Sequence, residues 1–294
     1  MTKLKYKFTY DTLFKLLFVK YPNLLKRLIA AILKIPTDKI SDFKITNPEI
    51  PPEAIGDKFC RLDINMVVSG RLVNLEVQVE DEGDYPERTL YHWARLYSSA
   101  LRAGSPYSSL PQVIIISIVD FPIFDCAEYH SEFLPLEANR RELLSDRMLM
   151  LYFEVQKLPK DIDITNELEL ILSLFRAKTE EELKQLEELE VPIVTQAIGA
   201  YREIVVSPEF RELERLRADA RHNEASALLN AQDQAEKAER RRWQTVVADK
   251  DAEIASKDAE IADKDAEIAD KDAEIIGKDA EIARLRAQLE KQSS

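Results

Sequence analysis

Asp63, Glu76 and Gln78 are the residues of this sequence whose types and spacing best fit a chemical role. They lie in two neighbouring segments, residues 61–68 and 72–80, in which apolar side chains alternate with others. This period of two predicts two β-strands, each with one face against a core. If Ser69-Gly70 forms a two-residue turn, paired positions sum to 139, and Asp63 lies directly opposite Glu76.

Two carboxylates at paired strand positions have β-carbons about 4.5–5.5 Å apart. At that separation one of them is driven toward protonation unless a cation lies between them. Mg²⁺ prefers oxygen ligands, and when bound it activates water and stabilises charge on a phosphodiester under attack. Gln78 follows on the same side of the strand, where its amide can reach that water. We therefore predict Asp63 and Glu76 as metal ligands and all three residues as catalytic; an ordinary solvated strand face is the alternative.

Two residues of the first predicted helix are further candidates. Asp11 could supply a third metal-binding carboxylate, or it could cap the helix that runs to Phe18. Lys15 could contact a nucleic-acid phosphate, or it could be an ordinary solvated lysine. The sequence leaves both choices open.

The helix predicted from Pro86 carries a basic and aromatic stripe. Arg88, Tyr91 and Arg95 suit contacts with phosphate and sugar, which position DNA without reading its sequence. A solvated basic face is the alternative. The predicted core face of this helix consists of Leu90, Ala94, Tyr97 and Leu101.

The elements around the hairpin are predicted in the order helix, strand, hairpin, helix and buried strand. Helices are predicted at 11–18 and 22–34, and strands at 42–47, 112–119, 129–134 and 150–157. The order predicts an α/β fold in which a mixed sheet is flanked by helices. We assign residues 1–160 to the domain that contains the sheet, 161–206 to a helical extension and 207–294 to a charged helical tail.

The tail contains a heptad, Lys-Asp-Ala-Glu-Ile-Ala-X, repeated almost identically from Lys250 onward. Each Glu precedes the Lys of the next repeat by four residues, which favours ion pairs along a helix. The apolar stripe is thin, because alanines form it and the isoleucines lie beside it. A coiled coil that joins copies of the chain and a charge-paired single helix are equally compatible with this pattern.

Charge and composition narrow the function classes. The net charge is −13, but residues 1–48 contain ten Lys and Arg against three acids, so a basic N-terminal face could still hold phosphates. The three histidines are scattered, which disfavours a zinc site or a histidine-based triad. No apolar run is long enough to span a membrane, and no signal-peptide core follows the basic N-terminus. These features predict a cytoplasmic protein whose chemistry comes from carboxylates.

Several short motifs together resemble the Rpn family of recombination-promoting nucleases, which are also described as PD-(D/E)XK transposases. The resemblance covers about residues 5–160. The motifs are Asp11-x-x-Phe14-Lys15-x-x-Phe18, Arg61-Leu62-Asp63-Ile64, Leu75-Glu76-Val77-Gln78 and Arg88-x-x-Tyr91-x-x-x-Arg95-x-Tyr97.

The resemblance implies a restriction-endonuclease-like fold and cleavage of DNA that depends on Mg²⁺, with Mn²⁺ as a substitute. It also implies a role in recombination or transposition, with Asp63 and Glu76 as metal ligands. Gln78 occupies the position where the family pattern has lysine, and a glutamine can orient water but cannot neutralise charge. A module that keeps the fold, binds DNA or protein and has lost catalysis is therefore the alternative function.

Overall fold

The computed structural model describes residues 2–47 and 63–292; the side chains of residues 221, 224 and 287–292 are not described. Within those ranges six strands form one mixed sheet in the order β1-β2-β3-β4-β6-β5. The strands are β1 (Phe43–Ile45), β2 (Ile64–Val68), β3 (Arg71–Gln78), β4 (Val113–Val119), β5 (His130–Phe133) and β6 (Met148–Glu154). Strands β3, β4 and β6 run parallel, and the neighbours on both sides are antiparallel to them. The predicted mixed α/β sheet is confirmed.

Helices flank this sheet and continue after it. They are α1 (Asp11–Lys20), α2 (Pro22–Leu33), α3 (Tyr85–Ser99), α4 (Glu167–Arg176), α5 (Glu180–Glu187), α6 (Pro192–Val206) and α7 (Pro208–Gln292). Residues 155–157, which were predicted to extend the last strand, instead form a turn of 3₁₀ helix. Arg61 and Leu62, at the start of the predicted hairpin, lie outside the described residues.

The turn between β2 and β3 has the register that the sequence predicts. Val68 pairs with Arg71 and Ile64 pairs with Leu75, so paired positions sum to 139. Ser69 and Gly70 both have positive φ, at 48° and 76°, as a type I′ hairpin turn requires. The backbone twist of such a turn matches that of the strands it joins, which fixes the register of the whole hairpin.

The two faces of the sheet pack against different helices. On one face, apolar side chains of β2, β3, β4 and β6 form a large core together with α1, α2, α4 and α6. On the other face, a smaller core forms under α3 from Tyr85, Val113, Ile115, Val119, Phe121, Met150 and Tyr152. The strict alternation along β4, with Ile114, Ile116 and Ile118 on one side, explains why this strand is apolar throughout.

Helix α3 is rotated relative to the prediction. Leu90 and Ala94, assigned to its core face, are exposed, whereas Tyr85 and Thr89 are buried. Trp93 also packs against the smaller core. The prediction was wrong for Leu90 and Ala94 but is confirmed for Tyr97, which packs against the smaller core beside Trp93. The aromatic rings of Tyr85, Trp93 and Tyr97 fill more of the gap above the sheet than leucine and alanine at 90 and 94 would.

The chain divides into two compact units, Met1–Asn223 and Glu224–Ser294. In the first unit, Phe175 of α4 contacts the rings of Phe8, Phe14 and Phe18, so the helices after the sheet share its core. In the second unit, the described side chains of the heptad repeats are exposed. Lys257 pairs with Glu253 at 2.8 Å, the spacing of four that the repeat predicts. In the part of the chain that is described, no helix has the length and apolar character needed to cross a membrane.

Gly70 and Gly199 provide a test of the turn. An added β-carbon meets nothing within 4 Å at either position, so backbone conformation alone decides the effect of alanine. Gly70→Ala should lower the free energy of unfolding by about 1 kcal/mol, because an L-residue is strained at positive φ. Gly199→Ala, inside helix α6, should raise it by up to about 1 kcal/mol. Urea unfolding of the full chain measures both, and equal effects of the two substitutions would contradict the turn.

Candidate active site

Asp63 directly precedes β2, and its carboxylate lies among amides. The side-chain amide of Asn74 donates a hydrogen bond to Asp63 Oδ2 and another, of 3.0 Å, to Asn65 Oδ1. Asn65 and Asn74 face each other across the hairpin. The backbone carbonyl of Asp63 accepts hydrogen bonds from Lys15 Nζ at 2.7 Å and from Asn47 Nδ2 at 3.1 Å. Asp63 is thus fixed at both its main chain and its side chain.

The pKa of the Asp63 carboxyl is raised above its usual value. Burial is the main cause, because it disfavours the charged form. The positive charge of Lys15 and the hydrogen bonds from Asn74 and Asn65 lower the pKa by a smaller amount. A charged Asp63 is therefore costly in the protein alone and gains from a nearby cation.

Glu76 is almost completely buried, at 2% exposure, in the middle of the sheet between β2 and β4. Its Oε1 lies 3.3 Å from Nη2 of Arg88, and its Oε2 lies 3.8 Å from Nδ1 of His92. Both partners project from α3, which covers this face. The alternative of an ordinary solvated strand face does not hold for Glu76.

Asp63 and Glu76 lie opposite each other when the register of the hairpin is continued by one position. The pairing of β2 with β3 ends at Ile64 and Leu75, and the next position of the same register is Asp63 with Glu76. Because side chains alternate along a strand, this position shares its face with Asn65 and Asn74.

Gln78 is half-buried at the end of β3. Its side-chain nitrogen donates a 3.0 Å hydrogen bond to the backbone carbonyl of Glu80, and its backbone carbonyl accepts a hydrogen bond from the backbone N–H of Asp120. The bond to Glu80 occupies the side-chain nitrogen, so the side-chain oxygen can accept a hydrogen bond from water.

Asp11 lies in a different group from Asp63 and Glu76. Its carboxylate forms a two-pronged ion pair with Arg217 of α7, with 2.7 Å between Nη2 and Oδ2. Asp11 is the first residue of α1 rather than its N-cap, which is Tyr10.

Over residues 2–47 and 63–292, no three His, Cys, Asp or Glu side chains are placed to share a metal ion.

The predicted DNA contacts are divided between buried and exposed positions. Lys15 is 2% exposed and reaches Asp63, so it is not the solvated lysine of the alternative. Arg88 is mostly covered, and its guanidinium stacks 4.6 Å above the Tyr85 ring. Tyr91 and Arg95 are exposed and contact each other, with 5.8 Å between the guanidinium and the ring centre.

Sequence reasoning missed Asn65, Asn74 and His92 as parts of this group. The two asparagines also sum to 139, so the same register that relates Asp63 to Glu76 could have identified them. His92 lies four residues after Arg88, which places both on one face of a helix. That signal was hidden because the core face of the helix was assigned incorrectly.

A comparison with protein families finds that residues 8–231 match the model of the PD-(D/E)XK nuclease family transposases. The matched range includes the whole sheet, the residues Asp63 and Glu76, and the first part of α7. No match was found among curated proteins or among solved structures.

The raised pKa of Asp63 predicts a dependence of stability on pH in the metal-free protein. A carboxyl whose folded pKa exceeds its unfolded pKa favours the folded state at low pH, and this contribution is lost as pH rises through the folded pKa. In EDTA, Asp63→Asn should therefore be more stable than wild type at pH 7.5, and the gap should narrow toward pH 4. Thermal unfolding measures this; a variant that is less stable than wild type at pH 7.5 would contradict the cost of the buried charge.

Proposed function

The chain belongs to the PD-(D/E)XK nuclease family transposases, and from this premise we propose that it is an endonuclease that hydrolyses DNA phosphodiester bonds with Mg²⁺. Mn²⁺ would substitute for Mg²⁺. The proposed biological setting is recombination or transposition-like exchange of DNA in the cytoplasm.

The observation that carries this proposal is the burial of Glu76 one register step beyond the Ile64–Leu75 pair. A solvent-facing acid needs no function, whereas a buried carboxylate whose partner in the continued register is a carboxyl of raised pKa gains strongly from a cation. The donor set fits Mg²⁺, because carboxylate oxygens are the ligands it prefers and two of them with water complete a common shell. Asp63 and Glu76 would hold the ion.

A divalent cation bound there would polarise the scissile phosphate and lower the pKa of a bound water. The side-chain oxygen of Gln78 would accept a hydrogen bond from the attacking water and orient it, without taking its proton. Lys15 holds Asp63 by its backbone carbonyl and adds positive charge inside the site. In the reaction, water adds hydroxide to phosphorus, the bond from phosphorus to the leaving oxygen breaks, and that oxygen gains a proton.

DNA would lie along the exposed part of α3. Tyr91 and Arg95 are in contact there and can meet sugar and phosphate without selecting a sequence. Arg88, nearer to Glu76, would meet a phosphate close to the cleavage position.

A catalytically weak or inactive module that binds DNA or protein is the second candidate. Two observations favour it. Gln78 brings no charge to the lysine position, and Arg88 already balances the charge of Glu76.

Whether the protein is an active nuclease or an inactive module, we propose that the heptad-repeat helix joins copies of the chain. Sedimentation equilibrium of the full chain would then give a mass above that of one copy.

Removal of either proposed ligand should abolish nicking of supercoiled plasmid DNA. Substitution of residues that merely support metal ligands costs about 10–100-fold, so Asp63→Ala and Glu76→Gln should reduce the rate in Mg²⁺ by about 100-fold or more. Glu80→Gln is the matched control, because the Glu80 side chain is exposed and Gln78 contacts only its backbone. Wild-type protein that never nicks DNA in Mg²⁺ or Mn²⁺ would favour the inactive module.

Restoring the family lysine should accelerate catalysis. Gln78→Lys should raise the rate of plasmid nicking about tenfold or more, because the added charge stabilises the negative charge that develops on phosphate. Gln78→Met, which has neither charge nor hydrogen bond, is the control and should slow the reaction. If lysine and methionine have the same effect, position 78 does not act on the reacting phosphate.

A further inference from the structure

Two side chains of α3 bracket the carboxylate of Glu76. Nη2 of Arg88 lies 3.3 Å from Oε1, and Nδ1 of His92 lies 3.8 Å from Oε2. Arg88 and His92 are four residues apart and so project from the same side of the helix. The oxygens that would bind a metal ion thus already face cationic or titratable groups.

Arg88 also has a second acidic partner. Its Nη1 lies 2.8 Å from Oε2 of Glu82, closer than its contact with Glu76. Glu82 is exposed, whereas Glu76 is buried. The guanidinium also stacks on the Tyr85 ring, which holds it between the two acids. Arg88 can therefore weaken its contact with Glu76 and keep a partner.

We propose that Arg88 is a positioning residue that serves as the counter-ion of Glu76 in the metal-free protein and cedes that carboxylate to a divalent cation while it remains paired with Glu82. This inference rests on the proposed function, since it assumes a metal site at Asp63 and Glu76. It assigns Arg88 a role in metal affinity that is separate from contact with DNA.

The argument is one of charge. Asp63 and Glu76 together carry two negative charges when ionised, and Arg88 offsets one of them at 3.3 Å. Removing this cation makes the site more negative in a region shielded from water, where charge interactions are strong. A divalent ion should then bind more tightly, although the substitution also removes a group that could touch DNA.

Calorimetric titration of the full chain with Mn²⁺ at pH 7.5, without DNA, tests this role. Arg88→Met should bind Mn²⁺ at least about tenfold more tightly than wild type. Arg88→Lys retains the charge and should stay closer to wild type. Arg95→Met is the matched control, because it removes a cation of the same helix that contacts Tyr91 rather than an acid, and its Mn²⁺ affinity should stay within about twofold of wild type.

A surface variant keeps the test decisive if Arg88→Met does not fold. Glu82→Gln removes the exposed partner of Arg88, which commits Arg88 to Glu76 and should weaken Mn²⁺ binding severalfold. Binding that is lost in Glu76→Gln but unchanged in both Arg88→Met and Glu82→Gln would overturn this inference and leave the proposed metal site intact. Wild-type protein without any Glu76-dependent Mn²⁺ binding would overturn both.

Discussion

The negative charge of the buried Glu76 carboxylate must be balanced by neighbouring groups, and the rest of the site depends on this requirement. Removing an ionised carboxylate from water costs several kcal/mol unless nearby charges and hydrogen bonds compensate. Here the compensation comes from a helix: α3 lies over this face of the sheet and directs Arg88 and His92 at the carboxylate. The packing of Tyr85 and Thr89 that fixes the rotation of α3 therefore also determines the electrostatics of the site.

The hairpin turn is the second requirement. A slip of one residue in the pairing of β2 with β3 would turn the side chains of one of the two strands to the opposite face. Either Asn65 or Asn74 would then enter the larger core, and either Ile64 or Leu75 would face α3. Positive φ at both Ser69 and Gly70 prevents this slip, because it allows the two-residue connection that keeps the polar pairs together.

The sequence predicted the strands and their register because both follow from local rules: alternation in β2 and β3, a short turn, and the apolar run of β4. The sequence also predicted the family from short motifs, and the family is confirmed by the comparison, which matches residues 8–231. It did not predict which side of α3 faces the sheet, since Leu90 and Trp93 are both apolar and only the three-dimensional gap selects the larger ring. Nor could it reveal that Arg217 neutralises Asp11, because no local pattern relates residues so far apart in the chain.

The beginning of α7 is joined to the globular unit, although its sequence resembles the charged tail. Phe210 is buried and packs edge-on against Tyr6, while Glu214 accepts a hydrogen bond from Tyr10 and Arg217 binds Asp11. A chain that ends at residue 207 would lack the buried ring of Phe210. Loss of a buried phenylalanine side chain typically lowers the free energy of unfolding by about 3–5 kcal/mol. A fragment that keeps the packing of the first unit therefore has to retain the first turns of the long helix, whereas the heptads, which begin at Lys250, lie wholly in the second unit.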